Sequence, residues 1–142
     1  MLFINFLILP NQAQAQIPIP SEWKTIDDNT GKERSIIRIF KSTDGKYYGK
    51  IVKLINPSEP DPSCTKCPND AYRKNGEKIV GLLVITNMDL VNGELVNGNI
   101  LDPENGKDYS CKIWLDPAAP NKLYVRGYWG VFYRTQTWYR AN

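Results

Sequence analysis

From Ser21 onward, apolar and polar residues alternate in short runs, and dipeptides suited to tight turns separate the runs. A period of two marks a half-buried strand, because successive side chains point to opposite faces. Lys32 to Lys41 alternates around Ile37 and Ile39. Tyr47, Gly49 and Ile51 share a face. Tyr109, Cys111, Ile113 and Leu115 alternate with Ser110, Lys112 and Trp114. Leu123, Val125 and Gly127 alternate with Tyr124, Arg126 and Tyr128, and Thr135 to Arg140 forms a last short strand. Turn signals are Asp27–Gly31, Ser42–Gly45, Val91-Asn92-Gly93, Val96-Asn97-Gly98 and Glu104-Asn105-Gly106. Asn-Gly and Asp-Gly supply the positive φ angles of hairpin turns. Lys78 to Leu90 carries an Ile-Val-Gly-Leu-Leu-Val-Ile core that favours strand over helix. The pattern predicts an all-β, single antiparallel meander. A meander of about eight strands closes into a barrel, which removes the unpaired edges and is preferred here to a two-sheet sandwich. Asn56 to Gly76, with four Pro and two Cys, is too long for a hairpin turn and reads as a lid, strap or crossover.

The beginning of the chain departs from this pattern. Leu2 to Leu9 is an apolar run too short to span a bilayer as a helix. Ala13-Gln14-Ala15 follows, a small–x–small triplet of the kind signal peptidase cuts after. The expected division is a signal peptide over 1–15 and one barrel domain over 16–142, in the periplasm or outside the cell. No Lys or Arg precedes the run, so either this leader lacks the usual basic start or the true start lies upstream. No Cys follows the cleavage triplet, which leaves no lipid attachment point there.

Composition narrows function by exclusion. The 142 residues carry 18 Lys+Arg and 15 Asp+Glu, a net charge of +3, with 42% hydrophobic and 23% charged residues. That is the composition of a globular domain long enough to bury a core. There is no His, which removes imidazole acid–base chemistry, Ser-His-Asp and Cys-His nucleophiles and His-ligated zinc. The scattered charge is no nucleic-acid footprint. We expect no enzyme, no cofactor, no metal, no nucleic acid and no transmembrane segment. Oligomeric state is not indicated.

Few residues invite chemistry. Cys64 and Cys67 form a C-x-x-C inside Pro-Asp-Pro-Ser-Cys-Thr-Lys-Cys-Pro-Asn-Asp, without the helix start that a thioredoxin-type pair uses. Zinc would need four ligands, and only Cys111 remains. A short disulfide stapling the loop is preferred over a redox centre, given an oxidising compartment. Cys111, on an apolar strand face, reads as a core thiol. Asp102, Glu104 and Asp108 lack calcium-loop spacing and read as a hairpin turn with Gly106 at positive φ. Asp27 and Asp28 could pair for hydrolysis, but turn formation explains them more simply.

Several ordered stretches together resemble the bacterial secreted proteins grouped as domain-of-unknown-function family 2147. They are Trp23–Lys32, Tyr48–Val52, Cys64-Thr65-Lys66-Cys67, Gly98–Lys107 with Tyr109, Val125–Tyr128 and Arg134–Arg140. One position departs: Tyr133 precedes Arg134 where that pattern more often has Gly. The resemblance spans about Trp23 to Arg140 and implies a single-domain exported protein with a lipocalin-like barrel and no established activity. On a lipocalin plan, Trp23 would stack against Arg134 or Arg140 and close one end of the barrel. Arg126-Gly127-Tyr128 is similar to the Arg-x-Tyr with which intracellular fatty-acid carriers hold a carboxylate.

The leading expectation is therefore a binder of a small, partly apolar (lipophilic) or anionic, carboxylate-bearing ligand, with Tyr124, Arg126 and Tyr128 facing the barrel mouth. Alternation alone more easily sends Leu123 and Val125 inward and makes those three an outward polar stripe. Two other functions compete: an envelope module contacting a protein or glycan without a pocket, and a thiol redox protein using Cys64 and Cys67.

Overall fold

In the computed structural model, which describes residues 15–141, strand alternation closes on itself. Eight antiparallel strands follow in chain order: β1 (Ser21–Ile26), β2 (Glu33–Lys41), β3 (Tyr47–Leu54), β4 (Leu83–Val91), β5 (Glu94–Asp102), β6 (Lys107–Asp116), β7 (Ala119–Trp129) and β8 (Phe132–Arg140). Each pairs with the next, and β8 returns to β1 through Trp23↔Arg140 and Lys24↔Tyr139. The result is a closed meander barrel. The expected leader falls, apart from Ala15, outside the described residues.

One end of the barrel is packed. Trp23, Ile39, Met88, Leu95, Ile113 and Leu123 point inward there and are fully buried. Ile17, from the segment before β1, is buried against the same cluster, and its amide donates to the Gly93 carbonyl. The connections β1–β2, β3–β4, β5–β6 and β7–β8 crowd the opposite end, which is open.

Two local features differ from the sequence reading. Asn97-Gly98, a turn signal on paper, lies inside β5. Asn97 takes φ 63° there and the register with β6 shifts beside it. A Cβ on Gly98 would fall 2.3 Å from the Met88 sulfur and 2.4 Å from the Thr86 carbonyl oxygen, so the glycine serves close strand approach. The second difference is at β4, which begins at Leu83. Lys78 to Leu82 instead closes the long connection, with Gly81 at φ 99°.

That connection is a strap. Ser63 and Lys78 form an antiparallel bridge, and the Cys64 amide donates to the Glu77 carbonyl. Cys64 and Cys67 are joined in a disulfide and are almost fully buried, part of the hydrophobic cluster. The strap presses on the β5–β6 turn so closely that a Cβ on Gly106 would lie 1.9 Å from the Lys66 carbonyl oxygen. Gly106 also needs its positive φ of 74°. Arg73, with a fully buried side chain, fastens the strap to the barrel wall. Its guanidinium donates to the Leu83 carbonyl at 2.7 Å and to Asp108 at 2.7 Å, and it also pairs with Asp70 at 3.3 Å.

Candidate functional site

The packed core stops partway up the barrel. Above it lies a cavity of about 990 Å³, a size in the ordinary range for small-molecule sites. Ile37, Ile51, Val84, Leu101, Val125 and Trp138 supply its apolar lining. Gly127 opens the wall between β6 and β8, and Tyr109 and Trp129 stand toward the rim with ring centroids 5.9 Å apart. The strap contributes Pro57, Pro62 and Ile79.

Polar and charged groups gather toward the mouth, where Asp27, Asp28, Lys32, Arg34, Glu104 and Lys107 join the lining, and several of them are bonded to one another. On β8, alternation puts Arg134, Gln136 and Trp138 on the cavity side. The buried Trp138 indole donates to the Gln136 side-chain oxygen at 3.2 Å. The Gln136 amide donates to Asp28 Oδ2 at 2.8 Å, and Arg134 pairs with the same carboxylate oxygen. A hydrogen-bonded file thus runs from the core to the rim along one wall. Across the mouth, Arg34 of β2 reaches Glu104 of the β5–β6 turn and also lies 3.5 Å from Asp27. Both arginines at the mouth therefore hold carboxylates.

At the rim, the Asp27 carboxylate is held in its ionised form. Asp27 accepts from the amides of Thr30 and Asn29, and these bonds, with Arg34 adding to them, hold its pKa below the ordinary value. A general acid at neutral pH needs the opposite shift. Among the described residues, no three or more His, Cys, Asp or Glu are grouped to hold a metal ion.

Tyr124, Arg126 and Tyr128 are not in the cavity lining, which corrects the expectation that they face the mouth. The same alternation that buries Leu123 and Val125 sends them to the outer wall. There Arg126 lies over Trp114 and Tyr133, at 5.0 and 4.3 Å from the ring centroids, and donates to Thr135 Oγ1. Tyr124 donates to Asp116 at 2.6 Å. Burying an unpartnered guanidinium inside the barrel would be costly, whereas outside it stacks and stays wet.

The two closure arginines separate. Arg140 sits beside Trp23, with its guanidinium carbon 5.3 Å from the indole centroid, while Arg134 stands at the open end with Asp28. Cys111 is a free, buried thiol whose pKa burial pushes up to about 12. Gln136 and Arg34 are site residues that the sequence did not single out, and Asp28, weighed there with Asp27 as an acid pair and set aside as a turn residue, serves instead as the partner of Gln136 and Arg134. The alternation Arg134, Gln136, Trp138 was the available signal for Gln136, and nothing local marked the contact of Asp28 with β8.

Comparison with known proteins agrees with this architecture. A family model described as an uncharacterized protein conserved in bacteria, DUF2147, matches residues 21–140. A solved structure, protein HP1028 from the human pathogen Helicobacter pylori, described as belonging to the lipocalin family, superposes with a TM-score of 0.70 at 18% identity. The match covers 89% of this chain and 85% of that one. No curated protein matches significantly. Among the described residues no helix is long and apolar enough to cross a membrane.

Proposed function

This chain belongs to the DUF2147 family, and we propose a function from its own geometry: it binds a small, partly apolar molecule in the open end of the barrel. The observation that carries the reading is the roughly 990 Å³ cavity over a closed, packed floor. The apolar body of the ligand lies against Ile37, Ile51, Val84, Val125 and Trp138. Its polar end meets the Gln136–Asp28–Arg134 group at the rim. A carboxylate head would reach Arg134 only by displacing Asp28, whereas Lys32 and Lys107 also border the mouth, so the site accommodates a neutral hydrogen-bonding head or an anionic one. On this reading the protein holds its ligand without transforming it.

The same proposal places the protein outside the cytoplasm, as an exported chain beginning at Gln16. A disulfide suits an oxidising compartment. Ile17, two residues after the expected cut, is already anchored in the barrel floor.

A second reading, an envelope module that contacts a protein or glycan, draws on the outer wall. Lys112 and Arg126 both lie over Trp114, and Arg126 also over Tyr133, in a continuous cation–aromatic ladder. Native mass spectrometry of the purified protein separates the two. A co-purified small molecule supports the cavity. A bare barrel that also fails to take up long-chain carboxylates or alcohols removes the carrier reading.

A further inference from the structure

The β7–β8 hairpin ends in Tyr128-Trp129-Gly130-Val131-Phe132-Tyr133, six residues without a charge. Its side chains are not packed away. Trp129 is 47% exposed, Val131 90%, Phe132 63% and Tyr133 59%. Trp129 stacks on Phe132 and Tyr128 meets Tyr133 at a tilt, with ring centroids 6.4 and 6.1 Å apart, so ring pairs flank the apex at Gly130–Val131. Large apolar groups concentrated this way on a projecting tip mark a contact site.

We propose that this tip docks the protein on a phospholipid surface bearing anionic headgroups, with the open end of the barrel facing it. Three features select that occupant. The tip is narrow, and six residues cover much less than the ~800 Å² per partner that a stable protein interface uses. Its Trp and Tyr rings are apolar bodies with a polar edge, the side chains that settle at membrane–water interfaces.

The third feature is charge placement. Arg134 stands three residues behind Val131, about 10 Å along an extended strand. Arg126 lies alongside, over the Tyr133 ring. Interfacial apolar groups sink roughly 5–10 Å into the headgroup–acyl boundary. With the tip seated at that depth, both guanidinium groups stand at the level of the phosphates: Arg126, held by aromatic rings and Thr135 Oγ1 and not by a carboxylate, donates to a phosphate directly, whereas Arg134 must first give up Asp28. Trp129 belongs both to this tip and to the cavity rim, so a docked barrel presents its mouth to the lipid. The docking stands on the hairpin and not on what the cavity holds.

The test uses vesicles of mixed phosphatidylcholine and phosphatidylglycerol, vesicles of phosphatidylcholine alone, and the same mixtures with brominated acyl chains. No cavity ligand is added, so failure here is separate from failure of the cavity reading. Wild-type protein should float with the mixed vesicles. Brominated lipid should quench its tryptophan emission, and most of that quenching should vanish in Trp129→Phe. The double variant Val131→Asp/Phe132→Ser, altered only at exposed positions, should keep the wild-type melting temperature and partition about tenfold or more weakly. Arg126→Gln should weaken binding to the mixed vesicles more than to the neutral ones. The proposal is overturned if Trp129 contributes no lipid quenching, or if the double variant partitions like wild type. It is equally overturned if the tip instead drives a concentration-dependent dimer that the double variant abolishes.

Discussion

Arg140 lies directly opposite Trp23 in the ladder that closes the barrel, its guanidinium carbon 5.3 Å from the centroid of the indole ring. The indole is fully buried, and its N–H donates to Ser21 Oγ at 2.7 Å. Trp23 thus fills the floor of the barrel while Arg140 covers its flank at the β1–β8 seam. Trp23→Ala should lower stability by ~3–5 kcal/mol, the usual range for emptying a buried aromatic site. Arg140→Gln should cost about 1 kcal/mol, the scale of a partly exposed cation–aromatic contact. Thermal melts of both variants check this. A wild-type melting temperature for Trp23→Ala would show that the seam does not depend on the indole.

Arg73 is the corresponding fastening for the strap. Its fully buried guanidinium serves two backbone carbonyls and two carboxylates. Arg73→Met removes those bonds and leaves the Leu83 carbonyl and Asp108 short of a partner, at a cost of about 3 kcal/mol. Hydrogen exchange should show the loss concentrated over residues 57–82.

The strap should also be acid-sensitive. Burial alone would raise the Asp70 pKa, but the amides of Tyr72 and Arg73 and the Arg73 guanidinium outweigh it and hold the carboxyl below its ordinary value. A depressed folded-state pKa contributes stability that is present above the unfolded value near 4 and is lost as pH falls below it. The protection factors of the Tyr72 and Arg73 amides, measured against the intrinsic exchange rate at each pH, should therefore fall below about pH 4 in wild type. In Asp70→Asn they should be low already at neutral pH and change little through that range.

The cysteines should behave as two separate classes. Cys64 and Cys67 close so short a loop that chain entropy contributes less than the ~3 kcal/mol of a fifteen-residue loop. Cys64→Ser should loosen the strap against Gly106 more than it lowers the global midpoint. Cys111, with its thiol pKa pushed up to about 12 by burial, should resist alkylation in the native state. Mass spectrometry should find it labelled only after unfolding. Rapid native labelling at neutral pH would place it outside the core.

The meander was legible because a strand with one buried face has to alternate. Ile37, Ile39, Ile113, Leu123 and Val125 are inside for that reason. Alternation assigns partners to two faces without saying which is inner, so Tyr124, Arg126 and Tyr128 could be placed on the wrong one. The bulge at Asn97 mimics a turn because both need an αL residue followed by glycine. Arg73 looks like any loop cation until Asp70 and Asp108 converge on it. Asp28 and Gln136 are 108 residues apart, and only closure of β8 on β1 brings them together. Long-range pairings of that kind leave no local periodicity to read.

Gly127 gives the most direct test of the cavity. It faces inward on β7, lines the cavity, and has room: a Cβ there would lie 3.6 Å from Tyr109 Cβ and 3.8 Å from Ile100 Cγ2, ordinary contact distances. Replacing glycine within a strand also removes its excess backbone freedom in the unfolded chain. Gly127→Leu should thus fold at least as stably as wild type while its side chain occupies the space between Tyr109 and Val125. Titration of wild type with long-chain carboxylates and alcohols should quench tryptophan emission, since Trp138 and Trp129 both border the cavity. Gly127→Leu should lose most of that response. Gln136→Leu should distinguish head groups, weakening alcohols and carboxylates differently because Gln136 connects Trp138 to Asp28. Arg126→Gln, on the outer wall, should titrate like wild type. An unchanged response in a well-folded Gly127→Leu would locate the binding outside the barrel, and a loss confined to Arg126→Gln would move it to the aromatic face of β6–β8.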